Sequence, residues 1–428
     1  MKTVVRFGLL GCVLAASCFP ISAQQSQPDA FSTIESWLNG PDRRAIHWEV
    51  RVSQPTLTYQ QRHLVVVEAT VDGSELRRTG DHLLIFEVRM GDKNGNWFPG
   101  EDRSEFKVPP DRPQPIKQAV FYTGVYAAPG DYQVAVMMYD RTNGAGNIRH
   151  IDLRVPAVKG DVLPELTRSL PPVEFPLRIP GMNQDSRGER DPGWSLARGI
   201  EHLPIADARP LRVDVVLDFS ELDAIDLPYY TRAETKGEIA QSIYFRNLRD
   251  MLQMGSVLSH LQPSHGCVHV SALDMARVHV FLDRQDAASL DWSKVEKELY
   301  SVDLDRIDVS TMTKQRDRSA FAAKFLVQVA NDPGGCGTGT EPVDHVVVLV
   351  SHHLQYPPHT PVRPIQPEEC PKCRFVYLRL SPYDFEPLDP YRDILKPMHP
   401  LSFRFSTPEG FREVLQKLTS ELSNPSNR

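Results

Sequence analysis

The 428-residue chain lacks several features that would each point to a function class. It has no long run of lysine and arginine, and its formal net charge is −7. Neutralising phosphates takes clustered cations, so a nucleic-acid surface is not expected. It has no phosphate-cradling loop: "GGCGTGTEP" (334–342) is glycine-rich but lacks the lysine and does not join a strand to a helix. Beyond the first 23 residues no stretch is apolar enough to span a bilayer, so no transmembrane helix is expected in the mature chain. Cysteine is scarce. Removal of a leader ending at Ala23 leaves four, Cys267, Cys336, Cys370 and Cys373, an even number with three possible pairings in an oxidising compartment. What is present, 41% hydrophobic and 24% charged residues, is an ordinary globular balance long enough for two or three domains.

The N-terminus reads as an export signal over residues 1–23. Lys2 and Arg6 supply positive charge, "FGLLGCVLAASCF" the apolar stretch, and "ISA" a small-residue cleavage site before Gln24. An alternative is lipid attachment at Cys18, within "LAASC", leaving the protein tethered to a membrane. Either way the mature protein is expected outside the cytoplasm, periplasmic or extracellular.

Residues 40–156 predict an all-β immunoglobulin-like sandwich. "HLVVVEAT", "HLLIFEVR" and "DYQVAVMMYD" are short runs of β-formers, the last placing Tyr132, Val134, Val136 and Met138 on one face. Asn94-Gly95 and Asn143-Gly144 supply turns, and Pro129-Gly130 stands just before a strand. No catalytic side chains cluster there, so a structural or adhesive role is expected. Residues 157–210 are proline-rich and read as a linker or strap laid over a neighbour. From 211 to 422 strands and helices alternate, which predicts an α/β doubly wound domain with a mainly parallel sheet. "LRVDVVLDF", "DHVVVLVS" and "KCRFVYLRL" are runs for strands buried on both faces. Helical faces are carried by Tyr244, Leu248, Met251 and Leu252, by Trp292, Val295 and Leu299, and by Phe321, Phe325, Leu326 and Val329. A last helix starts at Thr407-Pro408 and turns Phe411, Val414, Leu415, Leu418 and Leu422 inward.

The succession "VDVVLDFSEL", "VHVSALDMARVHVFLDRQDAASL", "RSAFAAKFLVQVANDPGG" and "DHVVVLVSHHLQYPP" resembles the von Willebrand factor A domain. More closely it is similar to the exported group called VWFA-related acidobacterial proteins, over about half the chain. The resemblance implies a Rossmann-like fold and a divalent cation, Mg²⁺ or Mn²⁺, at the carboxyl ends of the strands. The family motif there is Asp-x-Ser-x-Ser, then a threonine and an aspartate from two further loops. Asp218 and Ser220 match, whereas Leu222 stands where the second serine should be. Thr311 or Thr313 is placed for the threonine, and Ser351, followed by His352 and His353, takes the place of the aspartate. Hard cations want a full set of oxygen ligands, and Glu221 or Asp223 would have to make up the deficit. The expectation is a vestigial cation site (Asp218, Ser220, Thr311) with no bound cofactor. The rim of Asp218, Ser220, Ser351, His352 and His353 is then expected to be a binding face.

Ser264-His265-Gly266-Cys267 resembles the nucleophile motif of exported L,D-transpeptidases, in which a thiolate attacks an acyl group. His269 stands where that family has an arginine, and the upstream histidine is missing from its usual distance, His260 being too near. Alternation of Val268, Val270 and Ala272, and of Val278, Val280 and Leu282, about a polar turn with Asp274 and Arg277, predicts a β-hairpin instead. "CPKC" (370–373) allows a redox pair, half of a zinc site with Cys336, His345 or His359, or a bridge within the motif. A bridge from Cys336 to Cys370 or Cys373 is the expectation, because both precede strands of the same sheet. The chain thus reads as an exported, non-enzymatic protein binding an extracytoplasmic protein partner. A metal-dependent adhesin and a Cys267 acyl-transferase are the alternatives.

Overall fold

The computed structural model describes residues 30–77, 82–108, 117–161, 163, 170–176, 196–199, 202–206, 209–220, 248–275, 277–300, 318–332, 336, 344–352, 362–381 and 389–423. The leader, with Cys18, lies outside the described residues, as do Glu221, Leu222, Asp223, Tyr244, Thr311, Thr313, His353 and His359.

Alternating burial along "HLVVVEAT" comes from a strand with one face on a core. The N-terminal half contains β1 (Arg43–Arg44), β2 (Trp48–Val52), β3 (Thr56–Leu57), β4 (His63–Asp72), β5 (His82–Asp92), β6 (Asp102–Val108), β7 (Gln118–Ala127), β8 (Gly130–Asp140), β9 (Gly146–Val155) and β10 (Val173–Glu174). They form two antiparallel sheets, ordered β1-β9-β8-β5-β6 and β10-β7-β4-β2, with β3 also pairing β4. Val65, Val67 and Ala69 of one sheet meet Phe86, Val88, Val134 and Val136 of the other, and Phe86 stacks on Phe121 at 5.2 Å. Gly95 and Gly144 hold left-handed φ of 83° and 73° in the turns expected for them. Helix α1 (Ala30–Trp37) was not expected from the sequence pattern. It covers the second face of β8, where Ala135, Met137 and Tyr139 are buried with Ile34 and Trp37. That cover explains why "DYQVAVMMYD" is apolar on both sides.

The C-terminal half holds β11 (Leu203–Ile205), β12 (Leu211–Asp218), α2 (248–258), β13 (Leu261–Pro263), β14 (Gly266–Asp274), β15 (His279–Asp286), α3 (Trp292–Tyr300), α4 (Arg318–Ala330), β16 (Asp344–His352), β17 (Arg374–Leu380), α5 (Pro390–Leu395), β18 (Leu401–Phe405) and α6 (Pro408–Ser423). Six strands form one sheet in the order β15-β14-β12-β16-β17-β18, all parallel except the edge strand β15. Successive residues of β12 serve opposite faces. Val213, Val215 and Leu217 pack with Met251 and Leu252 of α2 and with Phe411 and Leu415 of α6; Val216 packs with Phe325 and Leu326 of α4 and with Ile394 of α5. Thr407 caps α6, its Oγ1 accepting from Gly410 N at 3.1 Å.

The halves are joined by more than the strap. Tyr59, between β3 and β4, inserts beside Phe405 and Phe411, and its hydroxyl donates to Ser406 O at 3.1 Å. Gln60 binds Ala197 through both backbone groups and Ser256 Oγ, while buried Arg412 pairs with Asp161 and donates to Gln61 Oε1. At the same junction Gln253 donates to Tyr126 OH at 3.4 Å, and Glu296 of α3 is buried with its carboxyl pushed up to about 7 by loss of water.

Candidate functional site

Asp218 ends the central strand β12, opposite Leu273 of β14 and Ser351 of β16, so the aligned carboxyl ends bring Asp218, Ser220, Asp274 and Ser351 into one layer. The layer is closed. Asp218, Ser220 and Asp274 are inaccessible, Ser351 is 1% exposed and His352 5%. Of the expected binding rim, Asp218, Ser220, Ser351 and His352 are buried side chains that form a polar floor. His353 lies outside the described residues.

Asp218 Oδ1 accepts from Ser220 N at 3.1 Å, from the Ser220 hydroxyl, and from Met275 N at 3.3 Å. Ser220 Oγ in turn accepts from Met275 N at 2.7 Å. This arrangement pins the end of β14 to the end of β12. Asp218 Oδ2 and the hydroxyl of Tyr391, on α5, are buried facing each other and have no other hydrogen-bond partner. Burial pushes the Asp218 carboxyl up to about 6 against the pull of its hydrogen bonds, and raises Tyr391 well above the usual phenol range. Next to it Ser351 Oγ bonds Tyr377 OH at 2.7 Å, Tyr377 donates to Asp389 Oδ1 at 2.9 Å, and Arg379 Nε lies 3.3 Å from Asp389 Oδ2. Asp389 also caps α5 through Arg392 N, which locates Tyr391 two residues on. Asp274 is held by Arg277 at 3.3 Å.

Of the oxygens named for a cation, Glu221, Asp223, Thr311 and Thr313 lie outside the described residues, and those described are engaged in hydrogen bonds. The Ser220 hydroxyl and Asp218 Oδ1 already serve each other and Met275 N, Ser351 is spent on Tyr377, and one carboxylate oxygen is left facing a phenol. Among the described residues no group of three or more His, Cys, Asp or Glu converges on a point where an ion could sit. Sequence reasoning missed Tyr377, Arg379, Asp389 and Tyr391. The signal was there: polar residues inside the otherwise apolar run "KCRFVYLRL", and an Asp-Pro helix start leading into a tyrosine.

The "SHGC" stretch is accounted for by strand construction. Ser264 Oγ donates to Ile205 O at 2.9 Å and His265 O accepts from Leu211 N at 2.8 Å. A Cβ on Gly266 would come within 1.8 Å of Leu211 O, so only glycine allows this approach of β14 to β12. β14 and β15 pair as the expected hairpin. Cys267 is disulfide-bonded to Cys336, and Cys370 to Cys373. The expected bridge from Cys336 to the CPKC motif is therefore overturned. β16 and β17 are neighbours and β14 lies one strand further off, beyond β12, yet Cys336 stands beside Cys267 at a Cα separation of 5.3 Å. Cys370 instead opens a tight turn in which Cys373 N donates back to Cys370 O at 3.2 Å, bringing the two together. That closed bridge leaves no thiolate pair for zinc.

No family model and no curated protein matches the chain. Solved structures align weakly. The putative ApaA protein from Bordetella pertussis is 11% identical over 27% of this chain and 98% of its own, at a TM-score of 0.19. A CARDB domain from Pyrococcus furiosus is 14% identical over 28% and 95%, at 0.18. A family 2 glycosyl hydrolase from Bacteroides cellulosilyticus is 9% identical over 89% and 50%, at 0.20. Similarity at this level assigns neither fold nor activity. No helix among the described residues is long and apolar enough to cross a membrane.

Proposed function

We propose that this is an exported binding protein whose C-terminal half is a von Willebrand factor A-like module that holds a protein partner without a resident cation. The observation that carries the reading is the six-stranded sheet. Its order, its single antiparallel edge and the aspartate at the tip of its central strand agree with the resemblance seen in "VDVVLDFSEL" and "DHVVVLVSHH". Fold analogy supports the family, and the hydrogen bonds that engage Asp218, Ser220 and Ser351 support binding without a cation. Ligands of open α/β sheets meet the carboxyl ends of the strands, so that side of the sheet is assigned the contact. Two disulfides in one chain suit an oxidising compartment outside the cytoplasm.

The test is retention of a partner from an envelope extract on the immobilised full chain, with and without EDTA. The reading expects a partner retained equally in both. A partner that elutes in EDTA and returns with Mg²⁺ would restore the adhesin alternative, and failure to retain any partner would remove the binding role.

A further inference from the structure

An open cleft of about 770 Å³ lies between the strap residues Leu196–Arg198, the loop after α2, and the turn from Asp286 to Ser293. Gly266 and Val268, at the start of β14, help to line it, so it sits at the amino end of the sheet, away from Asp218 at the carboxyl end of β12. Two histidines of the lining, His202 and His260, have their ring centres 5.4 Å apart. Strand pairing places them there. β11 and β13 run parallel with Leu203 opposite Leu261, and Leu203 N donates to His260 O at 2.8 Å, so the residues just ahead of the two strands stand side by side. The His260 ring is held in place: its Nδ1 lies 2.7 Å from Ser256 O, a carbonyl that can only accept. Nδ1 therefore carries the proton and Nε2 keeps its lone pair. Ser259 Oγ donates to the same carbonyl at 2.7 Å and accepts from Trp292 Nε1 at 3.1 Å, which stiffens the turn. His202 is exposed.

We propose that His202 and His260 together bind a divalent transition ion of the zinc and copper class, with the remaining coordination positions open to the cleft. Imidazole nitrogen is the donor that such borderline ions take readily. Two imidazoles on one tetrahedral zinc ion, each nitrogen about 2.0–2.1 Å from the metal, have ring centres roughly 5 Å apart. The pair here already stands at 5.4 Å. A ligating histidine characteristically gives its other ring N–H to a backbone carbonyl or carboxylate, which fixes ring and tautomer. His260 does so with Ser256 O. The charge of the cleft agrees: its lining carries two carboxylates, Asp286 and Asp291, against one guanidinium, Arg198, a balance that draws cations in.

Two protein donors leave the ion's coordination incomplete, and the cleft has room for what completes it: water, or a small ligand offering a nitrogen or carboxylate donor. Hard ions are not served. Mn²⁺ stands at the weak end of the divalent series and prefers oxygen, so it separates this site from the cradle at Asp218. The histidine pair stands apart from that cradle and from the partner contact proposed above, and depends on neither.

The experiment titrates the untagged, EDTA-treated and dialysed full chain with Zn²⁺ by calorimetry at neutral pH, as wild type, His202→Ala and His260→Ala. The expected result is one saturable site per chain, weakened at least about tenfold in each variant. No saturable heat in the wild type, or an unchanged affinity in His202→Ala, overturns the proposal. His202 is exposed, so His202→Ala keeps the fold and decides the matter even if His260→Ala unfolds. Electron paramagnetic resonance of the Cu²⁺-loaded protein gives a second reading. Hyperfine structure from two imidazole nitrogens is expected in the wild type and from one in His202→Ala. A wild-type spectrum showing a single nitrogen donor, or none, removes the pair.

Discussion

Replacing Asp218 by asparagine should make the protein more stable at alkaline pH, the opposite of what losing a cation ligand would do. The folded carboxyl titrates at about 6, raised from 3.8 by burial. Its protonated form is therefore the one the fold prefers. The contribution of this group is full below its unfolded pKa and is lost as pH rises through about 6. A shift of about two units at 1.36 kcal/mol each makes the ionised group cost about 3 kcal/mol at pH 8 relative to pH 3. Asparagine keeps an oxygen where Oδ1 accepts from Ser220 and Met275, and puts an amide where Oδ2 now faces Tyr391. The gain expected from Asp218→Asn is about 1–3 kcal/mol at pH 8, fading to nothing near pH 4. The assay is urea unfolding of both proteins at pH 5 and pH 8 with EDTA present throughout. Destabilisation by Asp218→Asn at pH 8 would refute the reasoning, because it would mean the ionised carboxylate has a stabilising partner.

Glu296, titrating at about 7 for the same reason, gives a parallel case at the junction of the two halves. Glu296→Gln should stabilise by about 3 kcal/mol above pH 8, with no gain below pH 4, read by the same unfolding curves. Gly266→Ala forces a Cβ into Leu211 O and should cost more than about 2 kcal/mol; thermal unfolding at wild-type temperature would contradict the β12–β14 register. Arg412→Ala leaves Asp161 without its partner and should cost about 3 kcal/mol, checked by thermal unfolding. Replacing Cys267 and Cys336 together by serine removes a cross-link spanning 69 residues and should cost up to about 4 kcal/mol, read by urea midpoint.

The periodic elements were legible because one physical cause, burial of one face, wrote them into the sequence. "HLVVVEAT" alternates because β4 has one dry face, and Phe411, Val414, Leu415, Leu418 and Leu422 recur at helical spacing because α6 lies on the sheet. The hairpin inside "VHVSALDMARVHVFLD" was legible for the same reason, despite a tetrapeptide that suggested chemistry. Cysteine pairing was not. It depends on which strand tips are neighbours, and β12 has two neighbours while a sequence is read in one direction. Nor was the burial of the expected rim. Serine and histidine at strand ends say nothing of what covers them, and here Tyr391 and Tyr377 arrive from segments far along the chain. Helix α1 stayed hidden because eight residues with one apolar stripe give a weak period, its partner face being on β8 about a hundred residues away.

The proposal of binding without a resident cation turns on the cradle around Asp218, whose described polar groups bond one another and face Tyr391. Isothermal titration of EDTA-treated, dialysed protein with Mn²⁺ tests it most directly. The account predicts no saturable heat and no difference between wild type and Asp218→Ala. One-site binding that disappears in Asp218→Ala would contradict it.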